Sequence, residues 1–122
     1  MSLTQFHSSL ANTAMYYFLI LALWGLWRFA RKQGVDSSFW GALVISEVLV
    51  LLQGGLGVYL WINGLRPGRG WIHILYGVVS ALTLPAIFAF TRGDNDRRVM
   101  MIYGVALLFL VGITIRAAGT GI

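Results

Sequence analysis

Four long apolar runs, separated by three short polar stretches, divide the chain. The first run, Ser8 to Phe29, carries no charge before Arg28. The second, Phe39 to Ile62, holds one acid, Glu47. The third spans Trp71 to Phe90, and the fourth, Val99 to Ile115, is the shortest. A helix needs about 17 to 25 apolar residues to cross the hydrocarbon core of a bilayer, so each run predicts one membrane-spanning helix. The stretches between them predict turns. Arg31 to Ser38 reads RKQGVDSS and ends in residues that cap helix N-termini. Asn63 to Gly70 (NGLRPGRG) holds helix breakers, and Thr91 to Arg98 (TRGDNDRR) is a charged turn. Connections this short make consecutive helices antiparallel neighbours. The expected fold is all-α: an integral membrane up-down four-helix bundle, with residues 1–122 as a single domain.

Composition strengthens that reading. Hydrophobic residues make up 58% of the chain and charged residues 11%, with a mean hydropathy of +0.78. A soluble domain carries about 25% charged residues, so a water-soluble fold would lack the polar surface to wrap its core. There is no cysteine, which removes disulfides, thiolate metal sites and thiol catalysis. The net charge of +5 is assigned to lipid phosphates and cytoplasmic loops rather than to nucleic acid. The first run is not expected to be a cleaved signal peptide. It lacks a basic leader segment and ends in Arg28, Arg31 and Lys32 rather than in small residues.

Charge also orients the bundle. Arg28, Arg31, Lys32, Arg92, Arg97 and Arg98 lie in or beside the first and third connections, against Arg66, Arg69 and Arg116 in the second connection and at the C-terminal end. The positive-inside rule then puts both termini on the non-cytoplasmic side, and a bacterial inner membrane is the expected setting. Trp27, Phe29, Trp40, Trp61 and Trp71 fall near helix ends, where interfacial anchoring is expected.

The candidate chemistry centres on two histidines. His7 and His73 each lie near the start of an odd-numbered helix, so both fall at one level near the outer face. In an up-down bundle those helices face each other diagonally, and a histidine pair across the core can ligate haem iron from both sides. The alternative is two interfacial histidines bonded to water or headgroups. Two histidines without further ligands are too few for a closed zinc site. The second helix carries Gln53, Gly54, Gly55, Leu56 and Gly57, a stretch that admits a flat porphyrin or another helix. Ala11 and Gly77 stand four residues after the two histidines and leave room beside each ring. Arg116, expected to end the fourth helix, is placed to pair with a propionate or to snorkel to phosphate.

Glu47 is separate from this cluster. It lies roughly 12 Å inside the second helix, at about 1.5 Å per residue, where an acid is costly and marks a functional candidate. Tyr103 and Pro85 fall at similar depth. Glu47 is expected to face the interior, protonated or hydrogen-bonded to Tyr103 or to a carbonyl freed by Pro85, in a structural rather than a proton-transferring role.

The succession resembles one four-helix repeat of the haem A synthase family. The matching segments are His7-Ser8-Ser9-Leu10-Ala11, Gln53-Gly54-Gly55-Leu56-Gly57, His73-Ile74-Leu75-Tyr76-Gly77 and the segment from Gly112 to Gly121 that contains Arg116. The resemblance spans nearly the whole chain and implies a haem b between His7 and His73. It departs where the family carries Arg after the first histidine and an acid shortly before it: Ser8, Thr4 and Gln5 stand there. A single bundle without that acid implies electron transfer or haem holding rather than haem hydroxylation, so no catalytic residue is assigned. The expected function is a small b-type cytochrome or a haem-bearing subunit of a membrane redox complex. Its partners would be lipid, other membrane subunits and a quinone. The competing reading is a cofactor-free accessory subunit of a respiratory or photosynthetic complex, with chlorophyll ligation as a third.

Overall fold

The structure, a computed structural model, describes residues 2–64 and 70–120, with nothing of the Thr120 side chain. Arg66, Arg69 and Gly121 lie outside these residues. The fold is all-helical: α1 (Leu3–Ala30), α2 (Ser37–Ile62), α3 (Gly70–Phe90) and α4 (Arg97–Thr120). No strand occurs among the described residues. All four helices are long and apolar enough to cross a membrane.

The boundaries correct the sequence reading at both termini. α1 begins at Leu3 rather than Ser8, because Ser2 and Gln5 form a reciprocal capping box. The Ser2 hydroxyl accepts from the Gln5 amide (3.1 Å), and the Gln5 side chain accepts from the Ser2 amide (3.0 Å). Such caps contribute about 1 kcal/mol, and here the cap holds His7 in regular helix. α4 continues to Thr120 rather than stopping at Ile115, so Arg116 is inside the helix and α3, with 21 residues, is the shortest. The hydropathy pattern ends before the helix does, because the last residues of α4 are small and polar.

Each helix packs on its two neighbours in sequence, and α4 closes the ring onto α1. Contacts pair helix beginnings with helix ends, as Gln53 of α2 with His7 of α1, so neighbours run antiparallel. α1 and α3 therefore stand diagonally opposed. The core is built mostly by α1, α2 and α4, with Phe18, Phe39, Met100, Tyr103, Leu107 and Leu110 fully buried. α3 contributes one buried residue, Leu84. The outward faces stay apolar: Ile20, Val44, Ile62, Trp71 and Phe90 are all more than half exposed.

One end of the bundle is tied by two connections of the same design. Residues 31–36 follow α1 and residues 91–96 follow α3. In each, a basic residue takes the left-handed conformation (Lys32 φ 59, Arg92 φ 56). The next amide reaches back five residues, Gln33 to Arg28 O (2.8 Å) and Gly93 to Phe88 O (3.0 Å), which closes the helix in a Schellman turn. Each connection ends in an aspartate cap: Asp36 accepts from Phe39 N (2.8 Å) and Asp96 from Val99 N (3.0 Å). The two loops dock through Val35 N and Asn95 O (2.8 Å). Arg28 braces the first loop by donating to Gly34 O (2.7 and 3.1 Å) and pairing with Asp36 (3.3 Å). Arg97 bridges back to α1, bonding Phe29 O (2.8 Å) and covering the Phe29 ring at 4.1 Å.

The spacing of 60 residues between Asp36 and Asp96 also relates Gly25 to Pro85 and Gly104 to Val44. It separates two unlike seams. α1 and α4 touch through Gly25 and Gly104: a Cβ on Gly25 would lie 3.5 Å from Gly104 Cα. Between α2 and α3 the corresponding positions are Val44 and Pro85, and that seam stays open.

Candidate functional site

His7 and His73 meet across the diagonal. Their ring centres are 6.3 Å apart, with the planes tilted by 60°. The α1 cap and the antiparallel ring of helices bring them together: both lie in the early turns of parallel, opposed helices. Gln53 of α2 donates to His7 O (2.8 Å) and pins that level of α1. Gly57, one turn on, packs against the His7 ring, and a Cβ there would lie 3.5 Å from Cε1. On the other side, His73 Nδ1 meets Ala117 O at 3.1 Å. A carbonyl only accepts, so Nδ1 carries the proton, and in the neutral ring Nε2 carries the lone pair. His7 Nδ1 is buried without a hydrogen-bond partner.

This arrangement can be tested against a metal between two imidazoles. Two rings on opposite sides of one metal, each bound at about 2.0 Å, have centres about 6 Å apart. Their tilt is free, because each ring can turn about its own bond. The observed 6.3 Å matches that separation of centres, while the Cε1–Nε2 edge of His7 lies toward Gly57. The Ala117 carbonyl fixes the tautomer of His73, as an outer partner does for an imidazole that ligates a metal. No cluster of three or more metal-ligating side chains occurs among the described residues.

The other expected residues fall around this pair. Gln53 is beside His7, but its amide is committed to the backbone, and its Oε1 is buried without a partner. Gly57 makes room for the His7 imidazole itself. Gly77 is exposed with open space where a Cβ would stand. Arg116 is exposed and precedes Ala117, at the level of His73. Sequence reasoning missed Ala117, which acts through its main chain and leaves no side-chain signal. It also missed the polar tie between α1 and α2, where buried Ser46 and Tyr17 both donate to Ala42 O (3.1 and 2.7 Å).

A second site surrounds Glu47. The open α2–α3 seam forms a cavity of about 170 Å³. Trp40, Val44 and Glu47 of α2, Pro85 and Phe88 of α3, and Tyr103 of α4 line it. The three residues expected at one depth, Glu47, Pro85 and Tyr103, are thus together. The expected hydrogen bond is not formed: Glu47 Oε1 and the Tyr103 hydroxyl are each buried without a partner. Glu47 Oε1 bonds no carbonyl of α3 either. Trp40 keeps its place in the first turn of α2. It is half-buried, edge-on to Phe88 and to Tyr103, each at 5.7 Å. Phe29, at the end of α1, is half-buried beneath Arg97, whereas Trp27 and Trp71 face outward.

No protein-family model, curated protein or solved structure matches the chain. The functional reading therefore rests on the geometry of these two sites.

Proposed function

We propose that this chain is an integral membrane protein that crosses the bilayer four times and holds a haem b between His7 and His73. It serves electron transfer, as a small cytochrome or as the haem-bearing subunit of a membrane redox complex. The observation that carries this reading is the histidine pair, 6.3 Å apart across the bundle diagonal. The membrane assignment draws on four apolar helices with apolar outward faces. His7 and His73 would hold the haem iron. Gln53 and Ala117 hold them in place from α2 and α4, and Arg116 stands at the right level to meet a propionate. A haem with two imidazole ligands supplies reversible one-electron chemistry with no open coordination position. The basic clasp that joins the first and third connections faces the cytoplasm, which puts the histidines near the outer face of what we take to be a bacterial inner membrane.

The test is a reduced-minus-oxidised visible spectrum of the protein purified from haem-replete cells. Sharp b-type bands are expected, lost in both His7→Ala and His73→Ala. A flat spectrum from folded helical protein would overturn the haem reading. It would leave a packing subunit whose exposed α3 is covered by larger partners.

A further inference from the structure

We propose that the end formed by the two docked connections binds anionic phospholipid through Lys32 and Arg92, with Arg31 and Arg98 beside them. The inference rests on the membrane reading of the four helices and needs neither histidine. α1, α2 and α3 close with the same turn, but the residue in the left-handed conformation differs between the two ends. At the histidine end Gly64 closes α2, with φ 85 and its amide donating to Trp61 O (2.9 Å). At the docked end Lys32 closes α1 (φ 59) and Arg92 closes α3 (φ 56), donating in the same way to Phe29 O (3.0 Å) and Ala89 O (3.2 Å). These two are the only non-glycine residues at positive φ among the described residues. A Cβ is unfavourable in that conformation, and glycine is the usual occupant. A cation suits the end of any helix, yet α2 closes with glycine. Both turns at the docked end thus keep a charge on a strained backbone, a pattern typical of functional positions.

The charges there are free. Of the basic residues at this end, Arg28 pairs with Asp36 and donates to Gly34 O, and Arg97 donates to Phe29 O. The side chains of Arg31, Lys32, Arg92 and Arg98 are exposed, with no hydrogen bond or ion pair among the described residues. Asp36 and Asp96 cap α2 and α4, which leaves Asp94 as the one uncommitted carboxylate of the two loops. Cations therefore outnumber it, and the surface is positive. Outward-facing rings set the depth. Arg31 lies over the exposed Trp27 ring at 5.6 Å, and Phe90, two residues before Arg92, is 89% exposed. Aromatic rings at helix ends lie at headgroup level, and connections as short as residues 31–36 and 91–96 keep the cations within that layer. A lipid phosphate is already there, whereas a soluble polyanion would have to enter it. Each Lys or Arg at such a surface strengthens the binding of anionic lipid about fivefold.

The experiment reconstitutes the full chain in phosphatidylcholine bilayers at low salt. Spin-labelled phosphatidylcholine or phosphatidylglycerol is added, and electron spin resonance reads the motionally restricted fraction. Both labels should show one, with phosphatidylglycerol preferred about fivefold or more. The double variants Lys32→Gly with Arg92→Gly, and Lys32→Gln with Arg92→Gln, should both bring that preference close to one. The glycine pair should also melt above the glutamine pair in a zwitterionic detergent, because at equal charge it relieves the two turns. Lys32→Arg with Arg92→Lys should keep the preference, and so should His7→Ala, which separates this surface from the haem. Equal association of the two labels with the parent would overturn the proposal, as would a preference that survives in both neutral pairs. A glycine pair that melts no higher than the glutamine pair would remove the strain and overturn it too. If neither label is restricted, the membrane reading fails and the proposal fails with it.

Discussion

The His7 imidazole lies 3.5 Å from the position a Cβ would take on Gly57. That is ordinary van der Waals contact, so one methyl group fits and a branched side chain does not. Gly57→Ala should leave thermal stability in detergent within about 0.5 kcal/mol of the parent. Gly57→Leu should cost about 1–3 kcal/mol by overpacking. It should also turn His7 out of the core, seen as faster acylation of its ring by diethyl pyrocarbonate. If Gly57→Leu melts as the parent does and His7 stays protected, α2 does not hold that ring. At this scale the sequence was informative about which residues gather and less so about what they do. The histidine levels followed from helix parity alone. That Gln53 spends its amide on the His7 carbonyl did not, because an amide in an apolar helix bonds a backbone, a cofactor or water equally well.

The helices are bounded by caps, and caps explain where their ends were legible. Asp36 could be read among the capping residues that end its loop, whereas Asp96 sits within what reads only as a charged turn. The box at Ser2 and Gln5 follows the same chemistry but lies outside the hydropathy pattern, so α1 starts earlier than the apolar run. The docking of the two loops had no sequence signal, since each loop alone looks like a solvated turn. It depends on Gly34, where an added Cβ would run into the Asn95 carbonyl. Backbone on both sides leaves no flexible group to give way. Gly34→Ala should therefore destabilise the protein by about 2 kcal/mol or more. Gly41→Ala, with nothing within 4 Å of the new methyl, should be neutral or slightly stabilising through helix propensity. Paired denaturation curves decide this, and equal stability of the two variants would mean that the loops do not bear on each other.

At the scale of the whole molecule, two ends with different work face opposite sides. The end formed by residues 28–36 and 91–98, with Arg28, Arg97 and Arg98 included, is basic, hydrogen-bonded and clasped. The other holds the histidine pair. Charge asymmetry predicts which end is cytoplasmic, and the absence of cysteine makes the prediction clean to check. Gln33 lies at the clasped end and Asn63 at the histidine end, and both are exposed. Single-cysteine variants Gln33→Cys and Asn63→Cys can each be treated in intact spheroplasts with a membrane-impermeant maleimide. Asn63→Cys should label at once, and Gln33→Cys only after the membrane is opened. The reverse pattern would place the histidine pair at the cytoplasmic face, and any redox partner would then have to approach from inside. Labelling of both positions in sealed spheroplasts would contradict the transmembrane reading itself, because the helices between them could not then separate two compartments.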